Sequence, residues 1–263
     1  YDAIFTETAV GRLLRARVWA LLGRETARKS VLELNCGTGT DAVWLAKEGW
    51  QVLATDISPE MVAATNAKIA IAGLEARARA EVCGIEEIGR LHPSVAEGEG
   101  PGLIFSNFGG LNCLSPALLK KLATDLQLLM QPGSCFIAVV MSRFCWWETL
   151  YFLLKGKPRD AFRRLAKGPV NASLDEKTTV PTWYYSPGEF RRLIQTPARS
   201  MPRWTVRPLG FWLPPSYLNP FFEKHPRLLR LLNILEQKFA PAWVAPLSDH
   251  FFICLKSSEE GPS

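Results

Sequence analysis

Apolar runs and amphipathic stretches alternate along the first half of the chain. Val31-Leu32-Glu33-Leu34 reads as a short buried strand, Asp41 to Lys47 as a helix, and Gln51 to Asp56 as a second strand ending in an acid. Ser58-Pro59 predicts a helix start, because serine caps free N–H groups and proline suits the first helical position. Ala78 to Val82 predicts a third strand, Leu103 to Asn107 a fourth, and the wholly apolar Cys135 to Met141 a fifth. Ser115-Pro116 opens a helix running to about Met130, and Pro132-Gly133 turns the chain. Strands this apolar, alternating with helices, predict a parallel sheet covered on both faces.

The pattern changes after residue 142. Ser186-Pro187-Gly188-Glu189 is a capping box and predicts a helix to about Ile194. Trp204-Thr205-Val206 predicts a sixth strand, and His250 to Lys256 an apolar terminal one. Leu228, Leu231, Leu232, Leu235 and Phe239 form the stripe of an amphipathic helix.

Composition narrows the class. The 263 residues are 48% hydrophobic and 21% charged, which excludes a disordered chain, a coiled coil and a collagen-like repeat. The longest uncharged stretch, Leu126 to Ser142, is interrupted by Pro132-Gly133 and is too short to span a bilayer. No segment reads as a signal peptide, and the start at Tyr1 leads us to expect residues upstream. None of the six cysteines forms a C-x-x-C pair or a Cys/His cluster with zinc spacing. We expect free buried thiols, a cytoplasmic location and no metal. The net charge of +6 is uneven: residues 1–142 carry −2, residues 143–208 carry +8, and the remainder balance. Twenty of the 28 aromatic residues also follow residue 142.

In sheets of this type ligands bind at the carboxyl ends of the strands, where strand order reverses. The first strand runs into Asn35-Cys36-Gly37-Thr38-Gly39-Thr40. Gly37 and Gly39 permit positive φ and close approach of backbone to ligand. The helix after them offers free N–H groups. Asp56 closes the second strand, seventeen residues after Gly39, where a carboxylate can accept from a ribose diol. Together these features predict a nucleoside-containing cofactor. Gly37-x-Gly39-x-x-Ala42 also satisfies the dinucleotide pattern G-x-G-x-x-G/A. Glu33 argues against a pyrophosphate there, since a carboxylate repels phosphate and suits an ammonium group. Asn35 and Cys36 also lengthen the loop beyond the tight dinucleotide turn. A cofactor carrying an amino acid and a sulfonium cation fits better.

The segment VLELNCGTGTDAVWLAKEGWQVLATDISPEMVAATNAK resembles the first two motifs of the class I S-adenosylmethionine-dependent methyltransferases, in particular their small-molecule branch, which includes quinone-biosynthesis enzymes. The family's E/D-x-G-x-G-x-G reads Glu33-Leu34-Asn35-Cys36-Gly37-Thr38-Gly39 here, with Asn35, which enters the left-handed region readily, at the first glycine. LIFSNFGGLNCL is similar to the fourth-strand motif and TWYYSPGEFRRLI to the helix before the last two strands. The resemblance implies a single domain over residues 1–263, with a Rossmann-like α/β fold. Its sheet would have seven mostly parallel strands and an antiparallel C-terminal hairpin. It implies S-adenosylmethionine as cofactor, with Glu33 orienting the methionine amino group and Asn35, Gly37 and Gly39 passing the methionine moiety. Asp56 would hold the ribose, Ile57 and Met61 would pack on the adenine, and Asn107 would lie near the methionine end. An Asp often follows the family's third strand; CGIEEI lacks it, so Glu86 or a backbone carbonyl takes that place.

The last two strands of such a domain are normally joined by a short turn. Here residues 209–249 separate them, and residues 143–180 form a second insertion rich in aromatics and then in basic residues. Long insertions commonly act as lids, so we expect helical lids over an apolar, aromatic-lined pocket for a hydrophobic small-molecule acceptor. The basic run after an apolar-aromatic helix also permits peripheral contact with an anionic membrane. Nucleic acid fits poorly: no known module is present, and the aromatics sit in apolar runs such as WWETLYFLL. Methyl transfer from a sulfonium needs mainly alignment and at most one base, for which His250, Tyr184 and Tyr185 are the candidates. His92 and His225 each precede a proline and read as peripheral. The rival readings are a dinucleotide-dependent oxidoreductase and a catalytically idle cofactor-binding module.

Overall fold

Strands form where the apolar runs stand, and the polar residues between them start the helices. The computed structural model describes residues 7–23, 25, 28–91, 100–173, 179–195 and 203–257. In chain order the first half contains α1 (Ala9–Leu22), β1 (Ser30–Leu34), α2 (Thr40–Lys47), β2 (Gln51–Asp56), α3 (Pro59–Ile71), β3 (Ala78–Val82), β4 (Leu103–Ser106), α4 (Pro116–Leu129) and β5 (Cys135–Met141). The second half adds α5 (Trp146–Leu154), α6 (Pro158–Ala161), β6 (Val170–Ser173), β7 (Thr179–Thr182), α7 (Pro187–Ile194), β8 (Arg203–Leu209), α8 (Asn219–Glu223), α9 (Pro226–Lys238) and β9 (His250–Lys256). Three helices begin at a Ser-Pro pair, as the sequence predicts. Ser58, Ser115 and Ser186 each accept an N–H three residues on, from Met61 (3.2 Å), Leu118 (3.3 Å) and Glu189 (3.2 Å).

The main sheet runs β3-β2-β1-β4-β5-β9-β8. β1 to β5 are mutually parallel, while β9 lies antiparallel to both β5 and β8. Strand order reverses between β1 and β4, so a crevice opens at their carboxyl ends.

Helices cover both faces. Val31, Phe105, Ile137 and Phe252 join one core layer with Leu14 of α1, Leu45 of α2 and Ile69 of α3. Leu32, Ile104, Phe136 and Phe251 join the other with Leu122 of α4 and Phe190 of α7. Side chains alternate along strands, so Glu33 shares the face of Val31 and its cross-strand neighbour Phe105, and His250 shares that of Phe252. Both therefore stand on the α1 side. The strand-helix reading had no α1; Val10, Leu14, Val18 and Leu21 bury its inner stripe.

The segment after β5 folds as α5, α6 and an antiparallel β6–β7 pair, a pair the apolar pattern does not announce. The segment between β8 and β9 carries α8 and α9. Both segments are fastened on the α1 side, where Trp147, Phe222, Leu229 and Leu232 meet the core layer. They are also fastened to each other: the Phe211 carbonyl accepts both the Trp146 and the Trp147 indole N–H, the latter at 3.1 Å.

The helix predicted from the Leu228–Phe239 stripe forms, but with a different face inward. Leu229 and Glu236 are buried and Leu232 is half-buried, whereas Leu228, Leu231 and Phe239 are exposed. The reason is polar. Glu236 accepts the backbone N–H groups of Gly210 (2.9 Å), Trp212 (2.7 Å) and Leu213 (3.4 Å), tying α9 to the turn after β8. Among the described residues, no helix is long and apolar enough to cross a membrane.

Candidate active site

The loop after β1 is a set of backbone demands met by particular residues. Asn35 takes the left-handed conformation (φ 51°), which asparagine enters more readily than most residues. Its Nδ2 donates to the Asn107 carbonyl (3.0 Å) and its Oδ1 accepts from Ser106 Oγ (2.6 Å), locking β1 to the end of β4. A Cβ on Gly110 would fall 2.1 Å from Asn35 Cγ, so that position admits only glycine. Gly39 (φ 76°) is equally constrained, since a Cβ there would lie 2.6 Å from Thr65 Cγ2. Thr65 Oγ1 in turn donates to the Gly37 carbonyl (2.9 Å).

Asp56 accepts from Gly37 N–H (2.9 Å) with one oxygen and from Ser58 N–H (3.0 Å) with the other. It thus shapes both loops of the crevice, and each oxygen retains acceptor capacity. Directly after Asp56, Ile57 is 67% exposed. A Cβ on Gly84 would sit 3.5 Å from Ile57 Cδ1 and 3.5 Å from the Glu86 carboxyl, so these two side chains flank one small backbone position. Met61 is half-buried in the first turn of α3.

The most telling feature is what lacks a partner. Glu33 is 2% exposed, yet its Oε2 has no hydrogen-bond partner. Burial, then the charge of Asp41, push its carboxyl well above the usual range, with Arg15 pulling the other way. Asp41 accepts from the Arg15 guanidinium, Trp19 Nε1 (2.7 Å) and Asn107 Nδ2 (2.9 Å). Asp41 requires a donor, which fixes the Asn107 amide orientation and leaves its buried Oδ1 unpaired. Two buried acceptors without donors beside one carboxylate cluster are costly in isolation and match an incoming ammonium group. With Asp56, whose oxygens retain acceptor capacity at the end of β2, and the exposed Ile57 beside it, the residues present fit an adenosyl amino-acid cofactor. Cys36 takes no part as a nucleophile, because burial pushes its thiol up to about 12.

A second group of buried side chains lies toward β9. Phe108, directly after Asn107, holds an uncommon positive φ of 39°. Its ring stands between the Arg15 guanidinium (5.2 Å) and His250 (edge-on, 5.4 Å). His250 is 6% exposed and pairs with Met141 at the end of β5. Its Nδ1 is 3.2 Å from Asp249 Oδ2, close enough for an ion pair but outside hydrogen-bond alignment. Burial opposes the ionised form of Asp249. His250 and Arg164 outweigh it and hold the carboxyl well below the usual carboxylate range. Arg164 donates to Asp249 Oδ1 (2.7 Å) and clasps Glu148 of α5 through Nε (3.1 Å) and Nη2 (2.8 Å).

The sequence-predicted residues thus fall into groups. Glu33, Asn35, Gly37, Gly39, Asp56 and Asn107 gather around the β1 loop, while Ile57 and Glu86 flank Gly84. His250 stands across β4 and β5 on the same sheet face as Glu33. The Tyr184 ring lies 5.1 Å from the Arg164 guanidinium carbon. Tyr185 sits in the opposite core layer with its hydroxyl donated to the Leu114 carbonyl, so that proton is already committed. His225 stacks on Phe221, and His92 lies outside the described residues. Sequence reasoning missed Arg15, Trp19, Asp41, Phe108, Arg164 and Asp249. A signal for the first two is the Val10-Leu14-Val18 stripe, which marks α1 as a core helix.

A family model described as a methyltransferase domain matches residues 31–134, from β1 to the turn before β5. Ribosomal RNA small subunit methyltransferase C of Alcanivorax borkumensis is 43% identical over 47 residues, 18% of this chain and 14% of that protein. The fold is similar to that of the CcbJ methyltransferase of Streptomyces caelestis (TM-score 0.58, 16% identity, 94% of this chain and 95% of the other). It is also similar to an S-adenosylmethionine-dependent methyltransferase of Methanosarcina mazei (TM-score 0.56, 14% identity, 92% and 98%). A third likeness is to geranyl diphosphate C-methyltransferase of Streptomyces coelicolor A3(2), solved with S-adenosyl-L-homocysteine (TM-score 0.53, 12% identity, 93% and 79%).

Proposed function

We propose that this chain, which carries a class I S-adenosylmethionine-dependent methyltransferase domain, methylates a small hydrophobic or aromatic acceptor. The observation that supports the acceptor class is an aromatic cluster on the α1 side of the sheet. Trp146, Trp147, Phe211 and Phe222 come from two segments and pack together, with ring centroids 4.5 to 6.2 Å apart, on the face that bears Glu33 and His250. Apolar walls with few polar groups suit an oily acceptor and exclude water.

Bound S-adenosylmethionine supplies an activated methyl group on a sulfonium. The chain's own residues do the rest. Glu33 Oε2 and Asn107 Oδ1 accept from the ammonium group, and Asp56 accepts from the ribose hydroxyls. Ile57 and Met61 cover the adenine, with Glu86 at its edge. His250 Nε2 takes the proton of a hydroxyl or enol acceptor, and Asp249 stabilises the imidazolium that results. Tyr184, beside Arg164, is the second candidate for contact with the acceptor. The five buried free thiols fit a reducing cytoplasm.

The test is incubation of cell extract with the chain and isotopically labelled methyl donor, followed by mass spectrometry. A labelled small apolar product is expected. Label found only in RNA or protein, or donor bound with no transfer, would overturn the proposal.

A further inference from the structure

We infer that the solvent-facing side of α9, continuous with α8 and the end of α5, docks on the surface of an anionic lipid bilayer. This goes beyond the acceptor reading. Among the described residues, 13 of the 17 exposed large hydrophobic side chains lie within residues 143–249. α9 concentrates them. Its inner face is already occupied through Leu229, Leu232 and Glu236, yet Leu231 (52% exposed), Ile234 (43%) and Phe239 (61%) point outward. A surface helix normally turns charge to solvent, so a second apolar face needs a second apolar partner.

The face continues through named contacts. Phe221 of α8 stacks on His225 at the start of α9 (4.3 Å), and Tyr217 meets Tyr151 (5.3 Å) and Phe152 (6.2 Å) of α5. α5 then ends in Leu153 and Leu154, both exposed.

Charge selects the partner. Arg227, Arg230 and Lys238 flank the outward stripe of α9, and Lys155, Lys157 and Arg159 follow α5, all exposed. The acids Glu148 and Glu236 on these helices are buried, leaving Asp160 and Glu223 against that basic set. An apolar stripe whose basic flanks outnumber its acids is the composition that lies in the plane of an anionic headgroup layer. A second copy of the chain across a two-fold axis would instead set these cations against each other. The docked face belongs to the same two segments that cover the active site, so the pocket would open beside a reservoir of oily molecules.

The full chain should be centrifuged with vesicles of phosphatidylcholine containing phosphatidylglycerol, and with phosphatidylcholine alone. Cosedimentation with the anionic vesicles only, reduced by salt, is expected. Leu231→Glu/Ile234→Glu and Arg227→Glu/Arg230→Glu should each weaken it by about tenfold or more, with donor binding by calorimetry unchanged as proof of folding. No vesicle binding, equal binding to neutral vesicles, or undiminished binding by folded variants would overturn the inference. So would a dimer in light scattering that Leu231→Glu/Ile234→Glu dissolves without any lipid binding. None of these readouts uses an acceptor, so they fail or hold separately from the methyl-transfer reading.

Discussion

Arg164 and Asp249 are joined by a 2.7 Å bond between two buried side chains, and that bond ties the segment after β5 to the residue beside His250. Glu148 holds the other side of the same guanidinium. The orientation of His250 therefore depends on residues more than eighty positions away in sequence.

Asp249→Asn should destabilise the chain by about 3 kcal/mol or more, since it leaves a buried cation short of one partner. The sign with pH follows from the lowered Asp249 carboxyl. Its contribution is full above the ordinary Asp value of about 3.9 and is lost as pH falls through the lower folded value. The wild-type advantage over Asp249→Asn in urea melts should therefore shrink below about pH 4. An advantage that grew on acidification would contradict the pairing.

His250→Gln should lower turnover by roughly 10²–10⁴-fold while donor binding persists. Unchanged turnover would dismiss it as the base.

Glu33→Gln should make the chain without cofactor more stable and its donor binding weaker. Burial raises the folded pKa of Glu33, so ionising it costs stability. That cost sets in as pH rises above the ordinary Glu value of about 4.3 and is complete above the folded value. The melting-temperature gain of Glu33→Gln should follow the same rise. Calorimetry should give a donor affinity about 10–100-fold lower, the worth of a hydrogen bond to a charged group.

Gly39→Ala combines a positive φ with a Cβ driven into Thr65. A loss of about 1–3 kcal/mol is expected, and thermal melts would reveal it. Gly37→Ala meets no neighbour within 4 Å and carries only the cost of its φ of 55°, so it should lose less stability than Gly39→Ala.

The two sides of α9 should separate cleanly. Leu229→Ala removes a buried side chain and should cost about 2–5 kcal/mol, whereas Leu231→Ala should stay within about 0.5 kcal/mol. Equal losses in chemical denaturation would show that the helix packs by the other face.

The strands and Ser-Pro helix starts could be read from the sequence because their causes are local: apolar runs, caps and turn residues. The β1 loop was readable for the same reason, since Asn35, Gly37 and Gly39 answer backbone demands within six residues of Glu33. What escaped was set by distant partners. Asp41 has no local mark that it will gather Arg15, Trp19 and Asn107. Arg164 in a basic run looks like a solvated charge until Glu148 and Asp249 close around it. The inward face of α9 is not legible in the leucine stripe, because a buried glutamate, Glu236, sets it by binding three backbone N–H groups.

The shared acceptor at Phe211 couples the two aromatic segments to each other. Neither can swing away from the sheet alone without breaking an indole bond held by the other. Substituting either tryptophan should therefore loosen the hold of both segments on each other.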